Sequence, residues 1–165
     1  MTLTVADVDA LAERAHAGQL DKIGVPYIKH VRAVGDALAS FGPHAQMAGL
    51  LHDVLEDTDW TAEGLRAAGV PTVVVDTVVA VTKQPGVSYE EMIRSIAGKP
   101  RATLVKIADN AHNSLPERAA DLSAPDRERL AARYRAARRV LWPAAGSVDV
   151  AVIVGRVNPA LLVEL

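Results

Sequence analysis

With 165 residues, 50% of them hydrophobic, the chain has material for one domain with a substantial core and not for two. A net charge of -2 offers no general attraction to nucleic acid or to an anionic membrane, so any phosphate must be met by a local basic cluster. The absence of cysteine excludes disulfides and thiolate metal ligands, and with neither a basic-then-apolar leader nor a long uncharged run the expectation is a cytoplasmic protein.

Taken in order, Val5, Val8, Leu11, Ala12 and Ala15 lie at helical spacing between Thr4 and Ala17, with Gly18 as the stop. Residues 19–26 read as a loop broken by Gly24 and Pro26, and a second helix from about Tyr27 to Ser40 puts His30, Val31, Val34 and Leu38 on its inner side. After the turn Phe41-Gly42-Pro43, a third helix is predicted from Pro43 to Glu56. Thr61 to Ala68 forms a short capped helix closed by Gly69. Between Pro71 and Thr82 the valines favour a strand by propensity, but the length and the leading proline predict a buried helix. Gln84 to Val87 is a loop. Ser88 and Glu91 have capping-box spacing and open a helix that Gly98 ends near Ala97. Lys99-Pro100 starts the helix carrying Asp109, Asp121 to Asp126 is a connection, and Arg127 to Trp142 is a long amphipathic helix with a solvated arginine face. His16, His44 and His112 read as ordinary histidines. The apolar tail 147–165, set apart from a domain at 1–146, alternates valines in the manner of a strand and has no assigned role, though it leaves room for self-association.

The chemistry concentrates at His52-Asp53-Val54-Leu55-Glu56-Asp57. On a continuous helix His52 and Glu56 stack one turn apart and Asp53 and Asp57 form a stripe beside them, while Leu51, Val54 and Leu55 bury the remaining arc. Carboxylates one turn apart repel by roughly 0.2–0.5 kcal/mol per pair, and the helix C-terminus disfavours them further. A cation reverses that sign. His30 upstream and Asp109 downstream complete a set of two imidazoles and two carboxylates, a donor set of intermediate hardness that suits Mn, Fe, Co or Zn and leaves coordination positions open for water and substrate. Such an ion acidifies its water and screens phosphoryl charge, and Glu56 or Asp57 is near enough in sequence to position that water or take its proton. Lys22, Lys83, Arg101 and Lys106 are candidate phosphate contacts, and Asn113, one turn after Asp109, can reach a sugar or phosphate.

The pattern His30, His52-Asp53, Asp109 resembles the HD superfamily of metal-dependent phosphohydrolases. The strings Gly24-Val25-Pro26-Tyr27-Ile28-Lys29-His30, Leu51 to Thr58, Val81-Thr82-Lys83 and Val105 to Asn113 are similar to the guanosine tetraphosphate (ppGpp) hydrolases, including the small alarmone hydrolases of the stringent response. The resemblance implies an all-α, single-domain HD-type helical bundle, here of about eight helices. It further implies an Mn-dependent enzyme that removes the 3′-diphosphate of the alarmone as pyrophosphate, acting on a small nucleotide and not on nucleic acid or membrane. By the same match His30, His52, Asp53 and Asp109 are the metal ligands, Glu56 and Asp57 the catalytic pair, and Asn113 a nucleotide contact, beside Lys22 and Lys106, which their place near the motif segments offers as substrate contacts. Two positions depart from the pattern: Asp21 stands where a basic residue usually precedes Lys22, and Val31 where proline is common after His30. The first leaves the nucleotide open. Alternatives are an HD-type nucleotidase that releases phosphate from nucleoside monophosphates, and a non-catalytic metal or nucleotide sensor.

Overall fold

Helix starts fall where capping residues place them. Thr4 opens α1 (Val5–Ala15) with a capping box in which the Asp7 N–H donates to Thr4 Oγ1 at 3.2 Å and the Thr4 N–H donates back to Asp7 Oδ2 at 2.8 Å. Ser88 and Glu91 build the same device at α7 (Tyr89–Ala97). In this computed structural model, which describes residues 1–165, the remaining helices are α2 (Ile28–Ala37), α3 (Pro43–Leu51), α4 (Val54–Asp57), α5 (Ala62–Ala67), α6 (Thr72–Val81), α8 (Pro100–Asn113), α9 (Ala124–Ala145) and α10 (Ser147–Val157). There is no strand, and single 3₁₀ turns occur at Ala39–Phe41, Pro116–Ala119 and Pro159–Glu164. The all-α bundle expected from the sequence is the one observed. No helix is long and apolar enough to cross a membrane.

Three expectations are corrected. The predicted third helix is interrupted at His52 and Asp53, because Asp53 adopts φ −102° and ψ 0° and starts a separate turn, α4. The strand-like tail is helical. Its valines alternate, but the buried set Val150, Ile153 and Val154 has helical spacing, and Asn158 Nδ2 anchors the end by donating to the Ala111 carbonyl at 3.1 Å. On α9 the arginine face is not wholly solvated: Arg138 is buried, with Nε and Nη2 donating to the two Glu164 oxygens at 2.8 and 2.9 Å and Nη1 donating to Asn110 Oδ1 at 3.3 Å. That fork ties α8, α9 and the C-terminal 3₁₀ turn together.

The valine-rich α6 is the buried helix the sequence predicts, with Val74, Val75 and Val78 fully enclosed. At the centre, α3 crosses α2 and also packs on α1, α6 and α8. The crossing is tight because two glycines meet there. A Cβ built on Gly49 falls 2.9 Å from Gly35 Cα, and one built on Gly35 falls 2.8 Å from Leu50 Cγ. This approach sets the separation between His30 on α2 and His52 at the end of α3.

Gly49→Ala is therefore expected to destabilise the protein by about 1–3 kcal/mol through overpacking against backbone, although alanine favours an open helix by about 1 kcal/mol. Gly155→Ala in α10, where an added Cβ meets nothing within 4 Å, has only the propensity effect and should stabilise by about 0.5–1 kcal/mol. Urea unfolding of the two variants should shift the midpoint in opposite directions.

Candidate metal centre

His30 comes from the first turn of α2, His52 and Asp53 from the break after α3, and Asp109 from the last turns of α8. One donor atom from each lies within 4.8 Å of all the others. His30 Nε2 is 3.2 Å from His52 Nε2 and from Asp109 Oδ1, and His52 Nε2 is 3.0 Å from Asp53 Oδ2. The two remaining contacts are 3.4 Å (His52 to Asp109) and 3.5 Å (His30 to Asp53). The interruption at Asp53 matters here. It turns two consecutive side chains toward one point, which a continuous helix would have spread around its circumference.

The tautomers follow from the outer contacts. His52 Nδ1 lies 2.7 Å from the Gly49 carbonyl, which can only accept, so Nδ1 carries the proton and Nε2 turns its lone pair inward. His30 Nδ1 lies 2.8 Å from His112 Nδ1. Burial and the neighbouring His30 push His112 down to about 4, so it stays neutral and accepts from His30, whose Nε2 also faces inward as a lone pair. Burial alone would favour neutral carboxyls and imidazoles, but the opposite charges outweigh it. His52 holds Asp53, and Lys106 with the histidines holds Asp109, well below the usual carboxylate range; those carboxylates in turn raise His52 well above an ordinary imidazole, so its inward Nε2 lone pair takes up a cation strongly, be it a proton or a metal ion that displaces it.

The donor set thus has inward lone pairs, anionic oxygens and no apolar filler. Ligands bonded at about 2.0–2.2 Å to one ion stand roughly 3.0–3.5 Å apart, which is the spacing found. The cluster can hold a metal ion. A second layer braces it: Tyr27 Oη donates to Asp53 Oδ2 at 2.6 Å, Lys106 Nζ to Asp109 Oδ2 at 2.7 Å and Asn113 Nδ2 to Asp109 Oδ1 at 2.7 Å.

The other candidates are distributed around this point. Asp57 is exposed and accepts from Gln19 Nε2 at 3.1 Å, while Gln19 Oε1 accepts from buried His16 at 2.8 Å. Glu56 Oε1 accepts the Lys83 backbone N–H at 2.5 Å, which ties the α4 turn to the loop after α6. Lys106 is committed to Asp109, and Lys83 contributes its backbone while its side chain is exposed. Arg101 lies eight residues before Asp109, about 12 Å away along α8. Lys22 and Asn113 line a cavity of about 300 Å³ that also reaches Tyr27 and Asp57, so it borders the cluster. Sequence reasoning missed Tyr27, His16, His112 and Arg118. Reading His16 and His112 as unpaired histidines is corrected by their contacts with Gln19 and His30. The available signal for His112 was its position three residues after Asp109, on the same helical face.

Comparison with known proteins agrees with this geometry. No sequence-family model matches the chain. A GTP pyrophosphokinase of Streptomyces coelicolor is 42% identical over 116 residues, which are 62% of this chain and 13% of the relative. The guanosine-3′,5′-bis(diphosphate) 3′-pyrophosphohydrolase of Haemophilus influenzae is 36% identical over 115 residues, again 62% of this chain and 17% of the relative. The chain thus spans less than a fifth of the length of these relatives. Across nearly the whole chain the fold matches a metazoan ortholog of SpoT that hydrolyses ppGpp, with a TM-score of 0.78, 22% identity and coverage of 99% of this chain and 97% of the other. The class of fold is therefore the all-helical one of that protein. In sequence, most of the chain is similar to one stretch of proteins named GTP pyrophosphokinase or guanosine-3′,5′-bis(diphosphate) 3′-pyrophosphohydrolase.

His112→Leu removes the acceptor for His30 Nδ1–H while retaining bulk. It should weaken binding of a divalent transition ion by roughly 10–100-fold, the usual worth of such an outer partner, as read by competition with a chromophoric chelator.

Proposed function

We propose that the protein removes the 3′-diphosphate of guanosine tetraphosphate as pyrophosphate, with Mn as the ion held by His30, His52, Asp53 and Asp109. The observation that carries this reading is the convergence of two inward imidazole lone pairs and two carboxylates beside a cavity with cationic and amide groups on its wall. Kinship with enzymes named for this reaction supports the choice of substrate. When bound, the ion supplies Lewis acidity toward a phosphoryl oxygen and toward the attacking water.

The chain's own groups supply positioning and proton transfer. Asn113 spans Asp109 and the cavity, so its amide meets the sugar or phosphate nearest the cluster, and Lys22 neutralises phosphate charge at the outer wall. Asp57, oriented by Gln19, borders the same cavity and is the nearer carboxylate for taking a proton from water. Glu56, fixed by the Lys83 N–H, holds the adjacent loop and keeps one oxygen free to orient that water. Water oxygen joins the phosphorus and the bond from phosphorus to the ribose 3′ oxygen breaks; one water proton passes by way of the carboxylate to the departing 3′ oxygen, and the other stays on the pyrophosphate. Lys106, buried on Asp109, serves to keep that carboxylate ionised rather than to meet substrate, and burial does not discharge it because Asp109 raises its pKa.

Asp53→Ala should lose the bound ion and the activity together, by metal analysis beside turnover. Glu56→Gln and Asp57→Asn should each keep the ion and lose roughly 10²–10⁴-fold in turnover, with the double variant losing much less than the product if they act as a unit. A product-resolved assay with Mn present decides between pyrophosphate and orthophosphate. Orthophosphate from nucleoside monophosphates would mark the protein as a nucleotidase instead, and metal binding with no product would mark it as a sensor.

A further inference from the structure

Asp21 occupies a wall of the cavity beside the metal cluster, where an uncompensated carboxylate would repel a nucleotide. It is not uncompensated. Its Oδ1 accepts the backbone N–H groups of Ile23 and Val25 at 3.0 and 2.9 Å, which closes the loop that Gly24 turns with φ +79°. Its Oδ2 accepts from Arg118 Nη1 at 3.2 Å, across 97 residues of sequence. The Arg118 Nε donates to Asn113 Oδ1, also at 3.2 Å. Asp21 and Arg118 are only 6% and 14% exposed at their side chains, so this pair is built into the wall rather than laid on the surface.

Two anchors fix the guanidinium plane and leave Nη2 and the second hydrogen of Nη1 without a partner, on a side chain that lines the cavity. That edge presents two parallel donors. Leu20, Leu130 and Tyr134 give the same cavity apolar and aromatic walls, and Asn113 joins it to Asp109 of the cluster. A flat heteroaromatic ring with two adjacent acceptors on one edge fits this combination. Guanine has such an edge in O6 and N7, whereas adenine offers N7 beside a donating amino group.

We infer that Arg118, held by Asp21 and Asn113, reads the base of the substrate and selects guanine over adenine. This rests on the reading of the neighbouring cluster as the site that hydrolyses a nucleotide 3′-diphosphate. The cation comes from the 3₁₀ turn at Pro116–Ala119 and reaches the loop through its hydrogen bond to Asp21.

The test has two arms. In the first, kcat/KM is compared for the guanosine and adenosine 3′,5′-bis(diphosphates) with Mn present. The wild type should prefer guanosine, and Arg118→Ala should reduce that ratio by roughly 10–100-fold, the worth of one hydrogen bond from a charged group. Arg118→Lys keeps the charge and the pairing with Asp21 but lacks the fork, so it should fold as the wild type does and lose the same preference. In the second arm, calorimetry with guanosine and adenosine 5′-diphosphates, which carry no 3′-diphosphate to hydrolyse, should show a guanosine preference in the wild type that Arg118→Lys abolishes. An absent preference in the wild type, or one that survives both substitutions, overturns the inference. Loss of pyrophosphate release in the wild type with a retained calorimetric preference would instead overturn the hydrolase reading and leave the base contact standing.

Discussion

The constraint on which the structure depends is electrostatic. Two carboxylates and two imidazole lone pairs face one another at 3.0–3.5 Å inside a largely buried space. Left alone, such groups would separate or take up a proton. Keeping them together needs a rigid frame, and the frame is the α2–α3 crossing, where Gly35 and Gly49 let two backbones approach more closely than any side chain would permit. Helix α8 closes the third side and delivers Asp109, with Lys106 one turn earlier on the same face to oppose its charge.

The second layer converts this frame into defined protonation states. A carbonyl at Gly49 and an imidazole at His112 determine which nitrogen of each inner histidine is available, and the Tyr27 hydroxyl and the Asn113 amide occupy carboxylate lone pairs that would otherwise be free to rotate away. Orientation by outer partners lets several ionised groups stand together inside a largely buried site. The Arg118–Asp21 pair extends the same logic to the cavity wall, where an acid that looks unfavourable in sequence serves to aim a cation.

The lower part of the molecule is held by different means. The C-terminal helix buries Val150, Ile153 and Val154 and is secured by Asn158, and the Arg138 fork to Glu164 ties the last 3₁₀ turn to α9 and α8. These contacts lie behind the helix that carries Asp109, so the end of the chain supports the site from its far side without entering it.

Much of this was legible from the chain alone. Capping residues and helical spacing determine α1, α6 and α7, because those signals act within one or two turns, and the four polar residues of the cluster stand out as charges in apolar helices that a core would not otherwise tolerate. What spacing cannot express is where a side chain points once the backbone leaves a regular helix. The break at Asp53 is such a place, and so is the turn of Glu56 toward the Lys83 N–H, 27 residues away. The roles of His112 and Arg118 depend on partners 82 and 97 residues away, so only tertiary packing brought those groups within hydrogen-bond range. The tail is the clearest case: its alternating valines satisfy a strand as well as a helix, and the choice was made by the surface of α8, which accepts one face of a helix and offers no strand edge to pair with.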